Sequence, residues 1–198
     1  APTFLEAAGI SIPKMMIGKA LTDIFKDKTK VKREAAFIAM ERHAGCREGG
    51  KGYPCRAIRT KDYIYIRNFD PDRWPAGSPE RKYCVRHIRY GEVDPSPTKT
   101  VMMDEPKYAK LADLAFGKRP AEELYLISDD PYQLRNLADA KEFQKTRNLL
   151  RQQLDDHLKK SGDPRLTGKP ALWDYYPFYR APKFPGWKVD PMPASFTP

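Results

Sequence analysis

The sequence predicts an α+β fold, in which an antiparallel sheet of about four strands carries a long C-terminal helix packed on one face. Three observations lead to this prediction. Residues 56–67 alternate β-branched and aromatic residues around a short polar turn, a pattern typical of a β-hairpin. Two short apolar runs, 36–40 and 123–127, have the length and composition of further strands. Residues 139–161 carry apolar residues at helical spacing.

The elements before the sheet are predicted to be helical. Gly9 ends a first short helix, and Leu21, Ile24 and Phe25 have the spacing of a second one. The chain begins with neither an initiator Met nor a signal-peptide pattern. We therefore expect it to be a piece of a longer protein.

The middle of the chain alternates strands with irregular segments. Residues 36–40 suit a buried strand, and a loop with four glycines follows at 44–54. Residues 68–106 are rich in proline and charge, which predicts irregular structure. A helix is predicted over 105–117, because Pro106 suits a first turn and Gly117 a C-terminus.

The longest helix is predicted to start with Asp139 as its cap and to run to about Ser161. One apolar stripe along it consists of Phe143, Leu150, Leu154 and Leu158. Beyond it, residues 164–198 contain eight prolines and eight aromatic residues. Such a segment forms no regular structure but is too aromatic for a free linker, so we expect it to wrap over the domain surface.

Composition limits the kind of protein. Among 198 residues, 40% are hydrophobic and 31% charged, and no apolar run is long enough to cross a bilayer, so a soluble globular protein is predicted. Lys and Arg outnumber Asp and Glu by 36 to 26, which favours an anionic partner such as nucleic acid, acidic lipid or sulfated sugar. Residues 42–90 hold twelve of the basic residues and five acidic ones, and guanidinium groups match sulfate oxygens well.

The three cysteines, Cys46, Cys55 and Cys84, are an odd number without a CxxC spacing. This argues against a structural zinc site and against a complete disulfide framework. One bridge from Cys46 to Cys55 across the glycine-rich loop is one reading, and three unpaired thiols is the other. Cysteine usage therefore leaves the redox compartment open.

His43 is the most informative candidate for a site. It directly follows a predicted strand and precedes the glycine-rich loop, and Glu41 and Arg42 lie beside it. Strand ends that lead into loops are where functional residues concentrate, although a hydrogen-bonded structural histidine explains the position equally well. The sequence holds no phosphate-binding loop, HExxH or GxSxG motif, and its three histidines do not suggest a metal site.

Several segments together resemble the sulfatase family over residues 1–165. The start, Ala1 to Gly9 with Ile12-Pro13 and Gly18-Lys19-Ala20-Leu21, resembles the segment that leaves the sulfatase catalytic domain. Glu41-Arg42-His43 followed by residues 53–63 is similar to the family's "H…YP.R.(I/V)RT" stretch. The family's "ELYDL..DP.E..NLA" run is similar to three short segments here, Glu123-Leu124-Tyr125, Asp130-Pro131-Tyr132-Gln133 and Asn136-Leu137-Ala138. Leu126 stands where the family usually has Asp. Heparan N-sulfatases (sulfamidases), which share the Gly162-Asp163-Pro164 ending, are the nearest group that the motifs suggest.

The resemblance implies a hydrolase of sulfate esters or sulfamates, with a calcium-dependent site and a formylglycine nucleophile made from a C/S-x-P-S-R motif. The sequence contains no such motif, and the acidic metal ligands of sulfatases lie in their catalytic domain. The resemblance therefore extends only to the smaller C-terminal domain of the alkaline-phosphatase-like superfamily, which helps to wall the substrate pocket. No catalytic residue and no metal ligand is expected here; calcium and formylglycine are expected in the catalytic domain.

The resemblance also suggests a domain plan and partners. Residues 1–30 would be the helical connection from the catalytic domain, 31–165 the α+β subdomain and 166–198 the wrapping tail. The predicted substrate-binding residues are His43, Arg42, Glu41 and Arg56. The expected partners are the protein's own catalytic domain and a sulfated glycan, not nucleic acid or a membrane. Family membership alone would place the protein in the periplasm or outside the cell.

A different class of function stays open: a stand-alone basic module that binds sulfated polysaccharide or nucleic acid through the hairpin. An exposed apolar surface would favour the enzyme domain instead, because a domain made to pack on another one leaves such a surface when it is seen alone.

Overall fold

A computed structural model describes residues 1–27, 33–166, 172–176 and 191. The chain forms two compact units, Ala1–Glu34 and Ala35–Pro198. The first contains helix α1 (Pro2–Ala7), which Gly9 follows in a left-handed conformation, and helix α2 (Thr22–Lys26). The predicted domain boundary at residues 30 and 31 lies outside the described residues.

The described part of the second unit holds a four-stranded sheet and the longest helix. Its elements are β1 (Ala35–Met40), β2 (Cys55–Thr60), β3 (Tyr63–Asn68), α3 (Pro97–Asp104), α4 (Ala109–Phe116), β4 (Glu122–Leu126) and α5 (Gln144–Ser161). The strands lie in the order β1-β2-β3-β4 and all neighbours are antiparallel. The predicted α+β fold class is confirmed, and so is the hairpin of β2 and β3.

The core lies between the sheet and α5. Ile58, Tyr65 and Leu124 stand opposite one another on β2, β3 and β4, and all three are fully buried. Because side chains on one face of a sheet recur at every second residue, this row presents one continuous apolar surface. The helix covers it with the predicted stripe, of which Leu154 and Leu158 are almost completely buried.

The prediction of a buried first strand is wrong. Every residue of β1 after Ala35 is exposed, with Phe37 at 39% and Ile38 at 49%. Among the described residues, the strand lies at the edge of the sheet and pairs only with β2, so no further strand lies along its outer side. Phe37 does stack on His157 of α5 with ring centroids 3.7 Å apart. The apolar run thus predicted the strand correctly but not the burial of its side chains.

Helix boundaries differ from the predictions where tight turns or caps decide them. Residues predicted to be irregular include α3, which starts because the Ser96 hydroxyl accepts a hydrogen bond from the Lys99 amide at 3.1 Å. The predicted helix over 105–117 is a 3₁₀ turn at Pro106–Tyr108 followed by α4. Likewise, a 3₁₀ turn at Lys141–Phe143 precedes α5, so Asp139 does not cap it.

Candidate functional site

The segment between β1 and β2 carries three of the four predicted site residues. The Tyr53 amide donates to the Glu41 carbonyl at 2.9 Å, which closes the glycine-rich loop back onto the end of β1. Gly52 permits this approach, because an added Cβ would lie 3.1 Å from the carbonyl carbon and oxygen of Glu41. The loop is therefore a folded part of the site.

His43 is exposed but oriented. Its side chain is 78% accessible, and its Nδ1 lies 2.9 Å from Oε2 of Glu92. A carboxylate can only accept, so the Nδ1 proton points at Glu92 and Nε2 remains for a ligand. The same Glu92 oxygen accepts a hydrogen bond from the Ala44 amide at 3.1 Å. The ring is thus held by a carboxylate that the backbone also fixes.

Arg47 and Glu92 form the buried base of this arrangement, and sequence reasoning missed both. Arg47 is 5% exposed and donates to Oε1 of Glu92 at 2.8 Å. Its other nitrogens donate to the carbonyls of Trp74 and Pro75, both at 2.7 Å. Glu92 lies 49 positions from His43 in the chain, so no local motif connects them. We call Arg47, Glu92 and His43 the histidine cluster.

Arg42 lies on the other side of the loop. It donates to the Gly50 carbonyl at 3.0 Å and to the Tyr176 carbonyl at 2.7 Å. Burial lowers the pKa of its guanidinium, and the negative charge of Asp174 acts in the opposite direction. The contact with Tyr176 also shows that residues 172–176, from the predicted wrapping tail, lie against this loop; the rest of the tail from 167 on, apart from 191, is outside the described residues.

Arg56 and Glu41 lie in a buried ion network. All five N–H groups of Arg56 have an acceptor: Asp163 takes two, and Glu41 and the carbonyls of Met40 and Cys55 take one each. The Arg56 side chain is 3% exposed. Burial opposes its charge, but the hydrogen bonds that Arg56 donates to the Asp163 and Glu41 carboxylates prevail and raise the pKa of Arg56. In this arrangement Arg56 has no donor left for a ligand.

The end of α5 supplies the carboxylate for this network. Gly162 adopts a left-handed conformation, which ends the helix and redirects the chain. Asp163 is thereby brought to Arg56, with Nε to Oδ2 at 2.7 Å. Two residues later, Arg165 donates to Oε2 of Glu41 at 2.5 Å. Glu41 is thus shared between two buried arginines and is not available to a substrate.

Asp174 connects the described tail segment to the same network. Its Oδ1 accepts from the Gly52 amide at 3.0 Å, and its Oδ2 lies 3.1 Å from Arg73. Burial alone would raise the pKa of Asp174, but the Gly52 amide, Arg73 and Arg165 together lower it. Trp173, the preceding residue, lies against the guanidinium groups of Arg56 and Arg165, about 6 Å from each. We call Glu41, Arg56, Asp163, Arg165 and Asp174 the arginine network.

The four predicted residues therefore do not converge on one pocket. Glu41 and Arg56 belong to the arginine network, His43 belongs to the histidine cluster, and Arg42 supports the loop between them. An open cavity of about 350 Å³ in the same unit is lined by other residues, among them Trp74, Tyr90 and Phe116. Of the four, only His43 presents an exposed, oriented polar side chain.

Metal binding was tested on the same residues. In the part of the chain that the structure describes, no group of three or more His, Cys, Asp or Glu side chains could hold a metal ion. The carboxylates nearest His43 are already paired, Glu92 with Arg47 and Glu41 with two arginines. These residues do not fit a calcium site. Within the described ranges, no helix is long and apolar enough to cross a membrane.

Comparison with known proteins adds the family context. The chain is 30% identical over 166 residues to an ulvan-active sulfatase of Formosa agariphila, covering 82% of this chain and 25% of the relative. A second ulvan-active sulfatase of this organism is 25% identical over 167 residues, covering 82% and 28%. The chain thus spans about a quarter of the length of these curated relatives. No model of a known protein family matches it.

The fold comparison agrees. A crystal structure from Bacteroides thetaiotaomicron with a sulfatase assignment matches with a TM-score of 0.50 and 19% identity, covering 93% of this chain and 30% of that one. The sequence similarity makes this chain a homologue of part of a sulfatase, and the likeness in structure shows the shared fold. It corresponds to a part of such a protein, the α+β part that carries the four-stranded sheet.

Proposed function

We propose that this chain is the C-terminal part of a sulfatase that hydrolyses sulfate ester or sulfamate groups of a sulfated glycan, and that it is inactive alone. The observation that carries the proposal is the 30% identity over 166 residues with an ulvan-active sulfatase. The sequence lacks the C/S-x-P-S-R motif that would supply the nucleophile, and no metal cluster occurs among the described residues. In this proposal the nucleophile and calcium belong to the catalytic domain.

Exposed apolar side chains support the proposed partner, the protein's own catalytic domain. Phe37, Ile38 and Met40 of β1 are 39%, 49% and 41% exposed, on a strand whose outer edge has no partner in the described chain. Free monomeric proteins seldom leave an apolar edge strand open, because it invites pairing with other chains. A domain that packs on a larger one has a reason to carry this surface.

His43 is the proposed point of contact with the substrate. With Nδ1 held by Glu92, Nε2 of the neutral ring can accept a hydrogen bond from a sugar hydroxyl, and Nε2–H of the protonated ring can donate one to a sulfate oxygen. The buried Arg47 below Glu92 keeps this pair in place. Arg42 supports the loop beside His43, while Glu41 and Arg56 hold the ends of β1 and β2 together. In the proposal the last three residues shape the pocket wall and His43 alone touches substrate.

The substrate itself divides into two proposals. The motifs resemble those of heparan N-sulfatases, which suggests N-sulfoglucosamine, whereas both curated relatives are named for activity on ulvan. Sulfate release measured from each substrate separates the two proposals.

The stand-alone basic module has less support. Of the twelve basic residues in 42–90, at least six form ion pairs with carboxylates of the described residues: Arg47, Arg56, Arg67, Arg73, Lys82 and Arg86. Two of them, Arg47 and Arg56, are also buried. Charges that are already neutralised contribute little to binding a polyanion. The basic segment therefore stabilises the fold more than it offers a charged surface.

The test uses the enzyme expressed from the complete reading frame that contains this chain. Sulfate release is measured from N-sulfoglucosamine and from ulvan oligosaccharides. In the intact enzyme, His43→Ala is expected to lower kcat/KM by about 10- to 100-fold, the loss that corresponds to one hydrogen bond to a charged group. The 198-residue chain alone is expected to release no sulfate.

The control is Tyr132→Ala, which removes an 82% exposed ring from the turn after β4 and is expected to leave kcat/KM within about twofold, as for a surface change remote from a site. If the intact enzyme releases sulfate from neither glycan, the proposed function is wrong. If it is active and His43→Ala keeps the full kcat/KM, the function stands but the assignment of His43 is wrong.

A further inference from the structure

Two of the three cysteines lie side by side in the interior, although neither spacing nor count suggested it. Cys46 and Cys84 are both 0% exposed, and their sulfur atoms are 2.8 Å apart. Cys46 belongs to the loop after β1, and Cys84 follows β3 by sixteen residues. Cys55, the partner that sequence reasoning considered for Cys46, lies on β2 as a free thiol. In the structure all three cysteines are free thiols, so the Cys46–Cys55 bridge is absent, and Cys84 rather than Cys55 lies beside Cys46.

The backbone brings these two cysteines together without any covalent bond. The Val85 amide donates to the Gly45 carbonyl at 2.9 Å, and the Ser78 amide donates to the Cys46 carbonyl at 2.6 Å. Val85 and Gly45 are the chain neighbours of Cys84 and Cys46, and Ser78 lies six residues before Cys84. Each hydrogen bond therefore ties the segment that carries Cys84 to the loop that carries Cys46. The pair is thus preorganised by the fold, as a bond with strict geometric limits requires.

A glycine closes the space around the sulfurs. A Cβ added at Gly91 would lie well inside contact distance of both Sγ atoms. Any other residue at this position would push the two sulfurs apart. The neighbouring residue is Glu92 of the histidine cluster, so the same turn packs on the sulfur pair and positions the carboxylate that holds His43.

We propose that Cys46 and Cys84 form a disulfide bond that holds the histidine cluster in place, while Cys55 stays a thiol. The bond would close the segment between residues 46 and 84, which contains the β2–β3 hairpin. One end of this segment lies three residues after His43 and the other lies eight residues before Glu92. Cross-linking them would limit how far the two members of the cluster can separate. The proposal does not depend on the proposed function.

The chemistry is a thiol–disulfide exchange with a disulfide donor, for which glutathione disulfide is the probe. The Cys84 thiolate attacks one donor sulfur, forms a mixed disulfide and releases the first donor thiolate. Cys46, once deprotonated, then attacks Cys84 Sγ and releases the second. Overall, two protein thiols lose two electrons and two protons, and one donor disulfide becomes two thiols. The hydrogen bond from Cys46 lowers the pKa of the Cys84 thiol, which favours Cys84 as the first nucleophile.

Burial determines when this reaction occurs. Neither sulfur is accessible in the folded chain, so the bond forms during folding or through a local opening. Once formed, it is shielded from reductants in the same way. Cys55 is only partly buried and has no cysteine beside it, and burial raises the pKa of its thiol to about 11. A thiol in this state reacts slowly, which is why it is expected to stay reduced.

The test is peptide mapping of the 198-residue chain after folding with glutathione disulfide and alkylation of the remaining thiols in denaturant. The expected result is one linked peptide pair, Cys46 with Cys84, and alkylated Cys55. The Cys55→Ser variant is expected to keep the link, and Cys46→Ser to lose it. The same oxidation in denaturant is the control and is expected to give mixed pairs. The proposal would be overturned by any of three results: alkylation of all three cysteines, a link to Cys55, or the same mixture of linked peptides from the folded and the denatured chain.

A second measurement tests whether the bond holds structure. Reducing the oxidised chain in denaturant and refolding it in the presence of reductant is expected to lower its melting temperature by about 5–15 °C, because a closed segment of this length restricts the unfolded state. The Cys46→Ser variant is expected to show no such shift. A linked chain whose melting temperature does not respond to reduction would show that the bond holds nothing in place.

Discussion

Replacing Arg56 with alanine is expected to lower the free energy of unfolding by about 3–5 kcal/mol, the loss typical of breaking a buried ion pair by removing one partner. The reason is that Asp163 would remain buried without the guanidinium it pairs with, Glu41 would lose one of its two arginines, and the Met40 and Cys55 carbonyls would lose a donor. Arg165 would still pair with Glu41.

The measurement is chemical denaturation of the 198-residue chain, followed by circular dichroism. The matched control is Arg59→Ala on the same strand, where the guanidinium only contacts nearby carbonyls of the hairpin turn. Its expected cost is below about 1 kcal/mol, because partly exposed hydrogen bonds contribute little. If both variants lowered the free energy of unfolding by the same amount, Arg56 would not be the residue that holds the arginine network together.

This result also separates two explanations of Arg56. The sequence alone made it a candidate for binding substrate, and in the intact enzyme both explanations predict lost activity. Only a structural role predicts lost stability when no substrate is present. If Arg56→Ala abolished turnover but unfolded at the same denaturant concentration as the parent chain, Arg56 would act on the substrate and the ion network would be secondary.

Truncating Leu154 to alanine is expected to cost about 3 kcal/mol of unfolding free energy. Leu154 is fully buried and packs in the core with Ile58, Tyr65 and Leu124, the row on the central strands. Its removal leaves a cavity that the rigid sheet on one side and α5 on the other cannot easily close, so both the transfer free energy and the lost packing contribute.

The helix provides its own control for this prediction. Leu149 is five positions earlier and 58% exposed, so Leu149→Ala is expected to change the free energy of unfolding by less than about 0.5 kcal/mol. Urea denaturation of both variants measures the difference. If Leu149→Ala cost as much as Leu154→Ala, the outer face of α5 would be packed in solution, and self-association of the chain would be the first explanation to test by sedimentation.

Arg56→Ala and Leu154→Ala also affect the candidate site, because the helix and strands that stabilise the core position the site residues as well. Asp163 follows the glycine that ends α5, so the helix that covers the core also positions the carboxylate of the arginine network. Weakening the contact of α5 with the sheet should loosen Asp163 and, through Arg56, the junction of β1 and β2. His43 lies three residues beyond the end of β1.

Local patterns predicted the elements well. The β2–β3 hairpin was predicted from the alternation on both sides of a polar turn, and Leu150, Leu154 and Leu158 are the buried face of α5 as their spacing indicated. In each case the residues that decide the structure are neighbours in the chain. The observed helix boundaries differ from the predicted ones where a tight turn or a cap decides them, as in the turn before α5 and at Ser96, which caps α3.

The sequence by itself determined the kind of fold, the hairpin, the helix face and the resemblance to sulfatases, because each rests on short-range periodicity or on a contiguous motif. Only the tertiary structure decided that β1 is an exposed edge, that Arg56 is buried among carboxylates, that Glu92 holds His43, and that Cys46 meets Cys84. These are contacts between residues up to 107 positions apart. They depend on which surfaces the sheet and helix bring together, and side-chain chemistry read along the chain carries no such information.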